Sequence, residues 1–434
     1  MVNYVRAYYH LQCLKRRAFW PRDKLRAYRH RRLREILTYA YDNVPFYHEK
    51  FKEAGVQPSD IRTVEDLKKL PIIEKDDVRK NLDQLVSKEY DVAKLKMLRT
   101  SGSTGEPLHF YITGAEDEFR KARHLRANIA CGQRMRDRWV TITSPIYFNQ
   151  ATKLQRTLRV FAPASVSVFD DVATQLSIIR NLKPDVLDGY ASSLLLLARE
   201  VEKKNMETIK PRLIISGADL IDAHSRQLVE KVFEVPFYDQ YGAAEFERLA
   251  WQCEEKAEYH IDADSVVMQF VDENGEVGPG ETGKIVCTSL FNYAMPFIRY
   301  DVGDLGKPSE DADCTCGRTF PLMKVMEGRK DAIIVLPDGR AMSSFALIAA
   351  TYQLSFYKYI NQFRVIQKKT NHFKFLIRMK NSSVNRKLAE KELMAHFSKV
   401  LNLKADEVNF EVEFVEDIPL DKSGKFRIVV SELE

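Results

Sequence analysis

Apolar and polar positions change rhythm along this 434-residue chain. Across residues 1–95 the spacing is helical. Leu33, Ile36, Leu37 and Ala40 recur at helical intervals, which predicts a helix ending near Asn43, because Pro45 disfavours helical backbone in the residue before it. Ser59-Asp60 and Thr63 with Asp66 read as helix-entry signals. From Leu95 the texture shifts to short β-rich runs alternating with helical stretches. Residues 140–143, 166–169, 186–189 and 213–216 read as strands, and 192–204 and 223–232 as helices. That alternation predicts α/β layering.

Between residues 261 and 302 the pattern is more purely β, with a hairpin turn at Asp272, Asn274 and Gly275. Near the C-terminus, strand-like 363–366 and 373–377 precede a helix over 385–401 and a strand over 408–415. The expected fold is therefore α/β, a large multi-layer N-terminal domain followed by a small α+β C-terminal domain. The division expected is a helical region over 1–95 packed on the large domain, the large-domain core over 96–329, and the small domain over 330–434.

Composition changes this picture little. The chain is 45% hydrophobic and 29% charged, ordinary for a soluble globular protein. No apolar run reaches the roughly 20 residues that span a bilayer, and the first residues lack a secretion-signal layout, so a cytoplasmic location is expected. The six cysteines are unevenly spread, with Cys314 and Cys316 close together, which fits a reducing compartment and a metal site better than a disulfide framework.

Charge is more informative. The net charge is +6, and basic residues from Lys15 to Arg32 crowd the N-terminus among Tyr4, Tyr8, Tyr9, Phe19 and Trp20. Three readings stand. The segment is a helix docked through its aromatics on the protein's own body, a basic amphipathic helix on the anionic inner face of a membrane, or a nucleic-acid contact. No recognisable nucleic-acid motif accompanies the charge, so no nucleic acid is expected.

Candidate chemistry begins at Thr100-Ser101-Gly102-Ser103-Thr104-Gly105-Glu106-Pro107. Glycine has no Cβ to block a polyanion, so such a tract can bring backbone N–H groups and hydroxyls close to phosphates. Four further motifs follow: Tyr241-Gly242-Ala243-Ala244-Glu245, Arg299-Tyr300-Asp301-Val302-Gly303-Asp304, Glu327-Gly328-Arg329-Lys330-Asp331, and Pro419-Leu420-Asp421-Lys422-Ser423-Gly424-Lys425. In this order the set resembles the adenylate-forming superfamily of acyl-CoA synthetases and luciferases. Within it, the run from Ala40 to Tyr47 and the run from Leu70 to Arg79 resemble phenylacetate–CoA ligase-like proteins, and their CapK-type branch from surface-polysaccharide gene clusters.

The resemblance implies roles. Ser101, Gly102, Ser103, Thr104 and Gly105 would embrace the ATP phosphates, with Thr104 in the catalytic set. Tyr241 would stack on adenine beside Gly242, and Gly217 and Ala218 would line that pocket. Glu245 would hold Mg²⁺, a hard cation that prefers carboxylate oxygen. Asp304 and Arg329 would hold the ribose. Lys425, on a mobile C-terminal domain turning at a hinge at Asp331, would bring a point charge to the α-phosphate. Each residue also has an ordinary structural reading, as a core tyrosine, a capping glutamate or a turn lysine. Two departures stand out. Leu108 occupies a position often lysine in the superfamily, and Ala244 replaces a threonine.

Cys253, His260, Cys314 and Cys316 form a Cys₃His set suited to tetrahedral zinc. Their two segments lie far apart in sequence, so the spacing alone leaves open four unrelated residues. Some phenylacetate–CoA ligase-like proteins hold structural zinc at corresponding places, and the resemblance implies the same here.

The implied activity is an AMP-forming carboxylate ligase. ATP and a carboxylic acid give an acyl-adenylate and pyrophosphate, and the acyl group passes to a thiol, CoA by default. A second reading keeps the first half-reaction and hands the acyl group to an amine or hydroxyl of a sugar, uronic acid or amino acid. A third is a nucleotide-binding scaffold without turnover, against which Lys425, Asp304 and Arg329 argue. By family position, Ser144 to Phe148 and Tyr190 to Ser192 belong to the acid pocket.

Overall fold

The computed structural model describes the chain apart from residues 1–3, 100–107, 146–147, 149–150, 207–208, 218–220, 222, 256–257, 312, 328–332, 381–383, 405–406, 419–427 and 434. It falls into two compact units, each assembled from separate stretches. The first is Met1–Thr100, Leu108–Gly132 and Tyr238–Gly328; the second is Ser101–Pro107, Gln133–Phe237 and Arg329–Glu434.

In the first unit, helix Arg22–Asn43 buries Leu33, Ile36, Leu37 and Ala40 and stops at Val44, whose backbone is extended as a residue before proline requires. Pro45 then opens helix Pro45–Glu53 at a position where its missing N–H is harmless. The signals at 59–66 yield two short 3₁₀ turns, Pro58–Asp60 and Glu65–Lys69, not α-helices.

Helix Tyr4–Arg17 packs on helix Gly114–Ala130. It does so through Leu11 and Leu14, which are buried, while Tyr8 and Tyr9 stay exposed. Of the three readings, docking on the protein's own body is the one seen, with His10 edge-on to Phe119 at 5.2 Å and an Arg6–Glu118 ion pair beside the leucines. Trp20 is half-buried and meets Tyr28 edge-on at 5.7 Å.

The strands of this unit run antiparallel, in the order Gly275–Glu276, Val266–Asp272, Gly283–Ser289, Tyr300–Pro308, Leu322–Glu327, Tyr259–Ile261, Ala250–Trp251, Phe237–Tyr241. The hairpin at Asn274 and Gly275 forms as its turn chemistry predicts, with Gly275 at φ 127°. Ile73 bridges Tyr300, so the Leu70–Ile73 stretch fastens the strand that carries Asp304.

In the second unit, strands Leu213–Gly217, Val186–Tyr190, Trp139–Thr143 and Ala164–Ser167 lie parallel in that order. Helices Val172–Leu182, Ala191–Lys203 and Ala223–Phe233 alternate with them. Covered strands of this kind read as apolar runs, which is why they were visible in sequence. The run expected at 166–169 begins two residues earlier, and Val168 closes it with a hydrogen bond to the Thr143 carbonyl.

The C-terminal part holds a four-stranded sheet ordered Asn409–Phe414, His372–Met379, Ile360–Lys369, Val429–Ser431. Helix Arg386–Leu401 buries Ala389, Leu393, Phe397 and Leu401 at four-residue intervals. The architecture is the expected α/β fold with a small α+β C-terminal part. No helix among the described residues is long and apolar enough to cross a membrane.

Candidate active site

In the first unit the Tyr241–Glu245 motif leaves the end of a strand as a tight turn. Glu247 donates its N–H to the Ala243 carbonyl at 2.7 Å, and Leu249 returns to the Tyr241 carbonyl at 3.0 Å. The turn closes on itself so tightly that a Cβ on Gly242 would lie 2.0 Å from the Glu247 carbonyl oxygen. Only glycine fits there. Glu247 completes the turn with φ 68°.

Helix Gly114–Ala130 fixes this turn from outside. Thr113 and Glu116 form a reciprocal capping box at its start. Arg120 then donates to the carbonyls of Glu245 and Ala244 at 2.9 and 2.6 Å, and Arg123 donates to the carbonyls of Phe246 and Arg248. Carbonyls that a turn would otherwise leave unpaired are thereby satisfied. Glu247 is held by His124 and Arg120. Burial alone would raise its pKa, but His124, Arg248 and Arg120 outweigh burial and hold the carboxyl well below the usual glutamate range.

Two side chains of the turn meet the Arg299–Asp304 motif. Tyr241 donates its hydroxyl to Asp304 Oδ2 at 2.8 Å, and Tyr300 donates to Glu245 Oε1 at 2.6 Å. Burial, followed by the Glu245 charge, raises the Tyr300 pKa well above its usual value, so the phenol stays a donor. Glu245 is 3% exposed, and among the described residues its second oxygen has no hydrogen-bond partner. Tyr241, Gly242, Glu245 and Asp304 are therefore brought together. Tyr300, Arg120 and Arg123 were not singled out from sequence. Tyr300 lies inside a quoted motif, but the arginines belong to no motif, and their partners lie more than a hundred positions away.

The Cys₃His set also assembles in this unit. The four ligand atoms lie within 4.8 Å of one another. Cys253 Sγ is 3.6 Å from Cys314 Sγ, and Cys316 Sγ is 3.4 Å from His260 Nε2. Tetrahedral Zn–S bonds of about 2.3 Å would set sulfurs about 3.8 Å apart, so the donor set fits that ion. All six cysteines are free thiols. Burial pushes the Cys253 and Cys314 thiols up and lowers the His260 pKa to about 4.

In the second unit, Gly217 ends strand Leu213–Gly217. Ser144, just past strand Trp139–Thr143, and Tyr190, at the end of its neighbour, lie at the same C-terminal edge of the parallel sheet. Open α/β sheets bind ligands at that edge. Ser101, Gly102, Ser103, Thr104, Gly105, Ala218, Arg329, Asp331 and Lys425 lie outside the described residues.

Comparison with known proteins decides the family. The chain is 30% identical over 327 residues to a phenylacetate–coenzyme A ligase of Thermus thermophilus, covering 73% of each. The chain belongs to the phenylacetate–CoA ligase family. It is accordingly an ATP-dependent, AMP-forming ligase. It is also 23% identical to the protein CapK of Staphylococcus aureus, over 93% of this chain and 88% of that one. The CapK C-terminal domain family matches residues 334–432. A 2-hydroxyisobutyryl-CoA ligase structure, with 2-HIB-AMP and CoA in the thioesterification state, aligns with TM-score 0.66 at 20% identity. That alignment covers 96% of this chain and 92% of the other, and confirms the family's fold.

Proposed function

We propose that this ligase activates a carboxylic acid in the cleft to which Tyr241, Glu245 and Asp304 belong. A carboxylate oxygen attacks the α-phosphorus of ATP, the bond to pyrophosphate breaks, and an acyl-adenylate forms. An acceptor then attacks the acyl carbon and AMP leaves, with the CoA thiol as the default acceptor. The observation that carries this function is the paired arrangement Tyr241–Asp304 and Glu245–Tyr300 on a turn clamped by Arg120 and Arg123. Binding groups held before substrate arrives need little reorganisation during reaction.

In this scheme Tyr241 offers its ring to adenine beside Gly242, with Gly217 and Ala218 lining the pocket. Asp304 and Arg329 receive the ribose hydroxyls. Ser101, Gly102, Ser103, Thr104 and Gly105 take the phosphates. Lys425 steadies charge at the α-phosphate, and the small domain over 330–434 turns at Asp331 between half-reactions. Glu245 would hold Mg²⁺, which supplies charge neutralisation at the phosphates when bound; a carboxylate whose second oxygen has no hydrogen-bond partner among the described residues suits it. Cys253, His260, Cys314 and Cys316 would hold zinc as a closed structural site.

A second reading concerns the acceptor. The CapK relative aligns over 93% of this chain, against 72–73% for the phenylacetate–CoA ligases, and the matched domain at 334–432 is of CapK type. This small domain would face the acceptor, and the likeness to CapK is what supports reading the acceptor as an amine or hydroxyl of a sugar, uronic acid or amino acid. Exposed Tyr8, Tyr9 and Phe19 among basic residues support a peripheral membrane contact by the N-terminus, at the cytoplasmic face.

Pyrophosphate release with a panel of acids, with and without CoA, tests both readings. Acid-dependent release followed by thioester formation is expected. Release without CoA, with transfer to an added amine or sugar, would select the second reading. Nucleotide binding with no release from any acid would overturn both.

A further inference from the structure

Helix Tyr4–Arg17 passes into helix Arg22–Asn43 through a short connection, and that connection is seated on the loop that carries Cys314 and Cys316. Thr319 donates its N–H to the Ala18 carbonyl at 2.9 Å and its hydroxyl to the Trp20 carbonyl at 2.6 Å. Arg22 pairs with Asp313 at 2.5 Å, and the Arg318 guanidinium lies 5.2 Å from the centre of the Phe19 ring. Below these contacts, Ala18 and Leu25 are buried in one apolar cluster with Cys253, Cys314 and Phe320. On the loop side the polar anchors fall within residues 313–319, the stretch that supplies two of the four Cys₃His ligands.

That stretch has little regular structure of its own. Among the described residues, no helix or strand lies between Pro308 and Leu322. Gly317 turns the chain at φ 76° and donates its N–H to the Cys314 carbonyl at 3.1 Å, and the Arg318 N–H meets Cys316 Sγ at 3.5 Å. Arg318 also reaches Glu254 at 2.6 Å. Two of these restraints run through ligand residues, so one turn sets both the thiols and Thr319. A metal joining Cys314 and Cys316 to Cys253 and His260 would tie this loop to the strands beneath it. Without that tie a few local bonds remain, and segments held so sparsely open readily.

The helix that depends on this seat has a modest hold elsewhere. Among the described side chains of residues 4–20, Leu11, Leu14 and Ala18 are the buried ones. Arg126 on helix Gly114–Ala130 donates to the Leu14 carbonyl at 3.2 Å, and Arg17 stands 3.7 Å from Asp264. A helix of 14 residues is marginal in water without tertiary support. Losing the anchor at its C-terminal end therefore leaves two buried leucines and a few polar contacts to keep it in place.

We infer, on the reading of the Cys₃His group as a zinc site, that this group latches the N-terminal helix: metal fixes the 313–320 loop, and the loop holds residues 4–20 on the first unit. Docking of that segment is then conditional on metal occupancy. Undocking would bare Leu11 and Leu14 alongside Tyr8 and Tyr9, which already face solvent. Arg120 and Arg123 grip the active-site turn through bonds the N-terminal helix does not share, so adenylation should change little.

Full-length protein is compared before and after zinc removal by a chelator, with metal content measured by elemental analysis and amide exchange followed by mass spectrometry. Exchange across residues 4–20 should quicken about tenfold or more on zinc loss and recover when zinc is returned. Strands Val266–Asp272 and Gly283–Ser289 should keep their protection throughout. Thr319→Val with Arg22→Ala touches no ligand; it should quicken exchange over residues 4–20 while about one equivalent of zinc is retained. Wild-type protection of residues 4–20 in protein shown to have lost its zinc would overturn the latch and leave the zinc site standing. So would protection lost evenly across the whole first unit, or undiminished protection in the Thr319 variant. Protein purified with no zinc would remove the latch and the zinc reading together.

Discussion

Arg123 and Asp262 are sealed from solvent, and Arg126 nearly so. Arg123 Nε meets Asp262 Oδ2 at 2.5 Å, while Arg126 bonds both Asp262 and Asp264. Trp251 adds its indole N–H to Asp262 at 3.2 Å. Burial alone would raise the Asp262 pKa; Arg126 and Arg123 outweigh it and hold the carboxyl below the usual aspartate range. Removing that charge leaves the buried Arg123 guanidinium without its carboxylate, while Arg126 keeps Asp264, and costs about 3–5 kcal/mol. Asp262→Asn preserves size and should lower the urea midpoint accordingly. A midpoint within experimental error of wild type would refute the assignment. Arg120, Arg123 and Arg126 are three apart on one helix, and a stripe of like charge reads as a solvated face in sequence. Their partners are backbone carbonyls and acids more than a hundred positions away. Pattern reasoning sees only the helix, whereas Tyr241, Glu245 and Asp304 were legible because their motifs lie in a known order.

At the level of elements, the Cys₃His group joins three pieces that hydrogen bonds alone connect sparsely. Cys253 follows strand Ala250–Trp251, His260 lies in Tyr259–Ile261, and Cys314 and Cys316 occupy the loop before Leu322–Glu327. Only two residue pairs register each of the neighbouring strand contacts, Ala250 and Trp251 with Ile261 and His260, and Leu322 and Met323 with His260 and Tyr259. A metal there would act as a crosslink between short strands. Cys316→Ser removes a half-buried ligand and should drop bound zinc from about one equivalent toward none. Thermal unfolding should then fall by about 5 °C or more, since roughly 2 kcal/mol shifts a unit of this size that far. Adenylation per folded molecule should change little. Purified wild-type protein with no zinc by elemental analysis would remove the metal and leave four buried polar residues. Sequence spacing could nominate this group but not assemble it, because strand pairing brings the two segments together. The α/β strands were easier to read, since covered parallel strands keep continuous apolar runs. The N-terminal aromatics divide: Trp20 packs on Tyr28, whereas Tyr8 and Tyr9 face solvent and Leu11 and Leu14 are buried in their place.

For the whole molecule, a single nucleotide site must serve two different nucleophiles in turn, first a carboxylate and then the acceptor. In the described state of the second unit, strand Ala341–Ser343 lies against helix Ala191–Lys203, and the C-terminal apolar residues join the same cluster as Leu194 and Leu197. Turning of the C-terminal part between half-reactions would have to break those contacts, and the break would be concentrated at the chain entering it. Asp331 is placed there by its motif. Proline at that position fixes φ near −65° and removes one rotational freedom without touching any group proposed to bind ATP. Asp331→Pro should therefore change the two half-reactions unequally. The ratio of ATP–pyrophosphate exchange to acyl transfer should shift about tenfold or more from wild type. Lys425→Ala gives the contrast: with the role proposed for that charge at the α-phosphate, it should suppress pyrophosphate exchange while leaving transfer from supplied acyl-adenylate much less affected. If Asp331→Pro instead slows both half-reactions by one common factor, the C-terminal part does not alternate between them, and acceptor choice must be sought in the large domain instead.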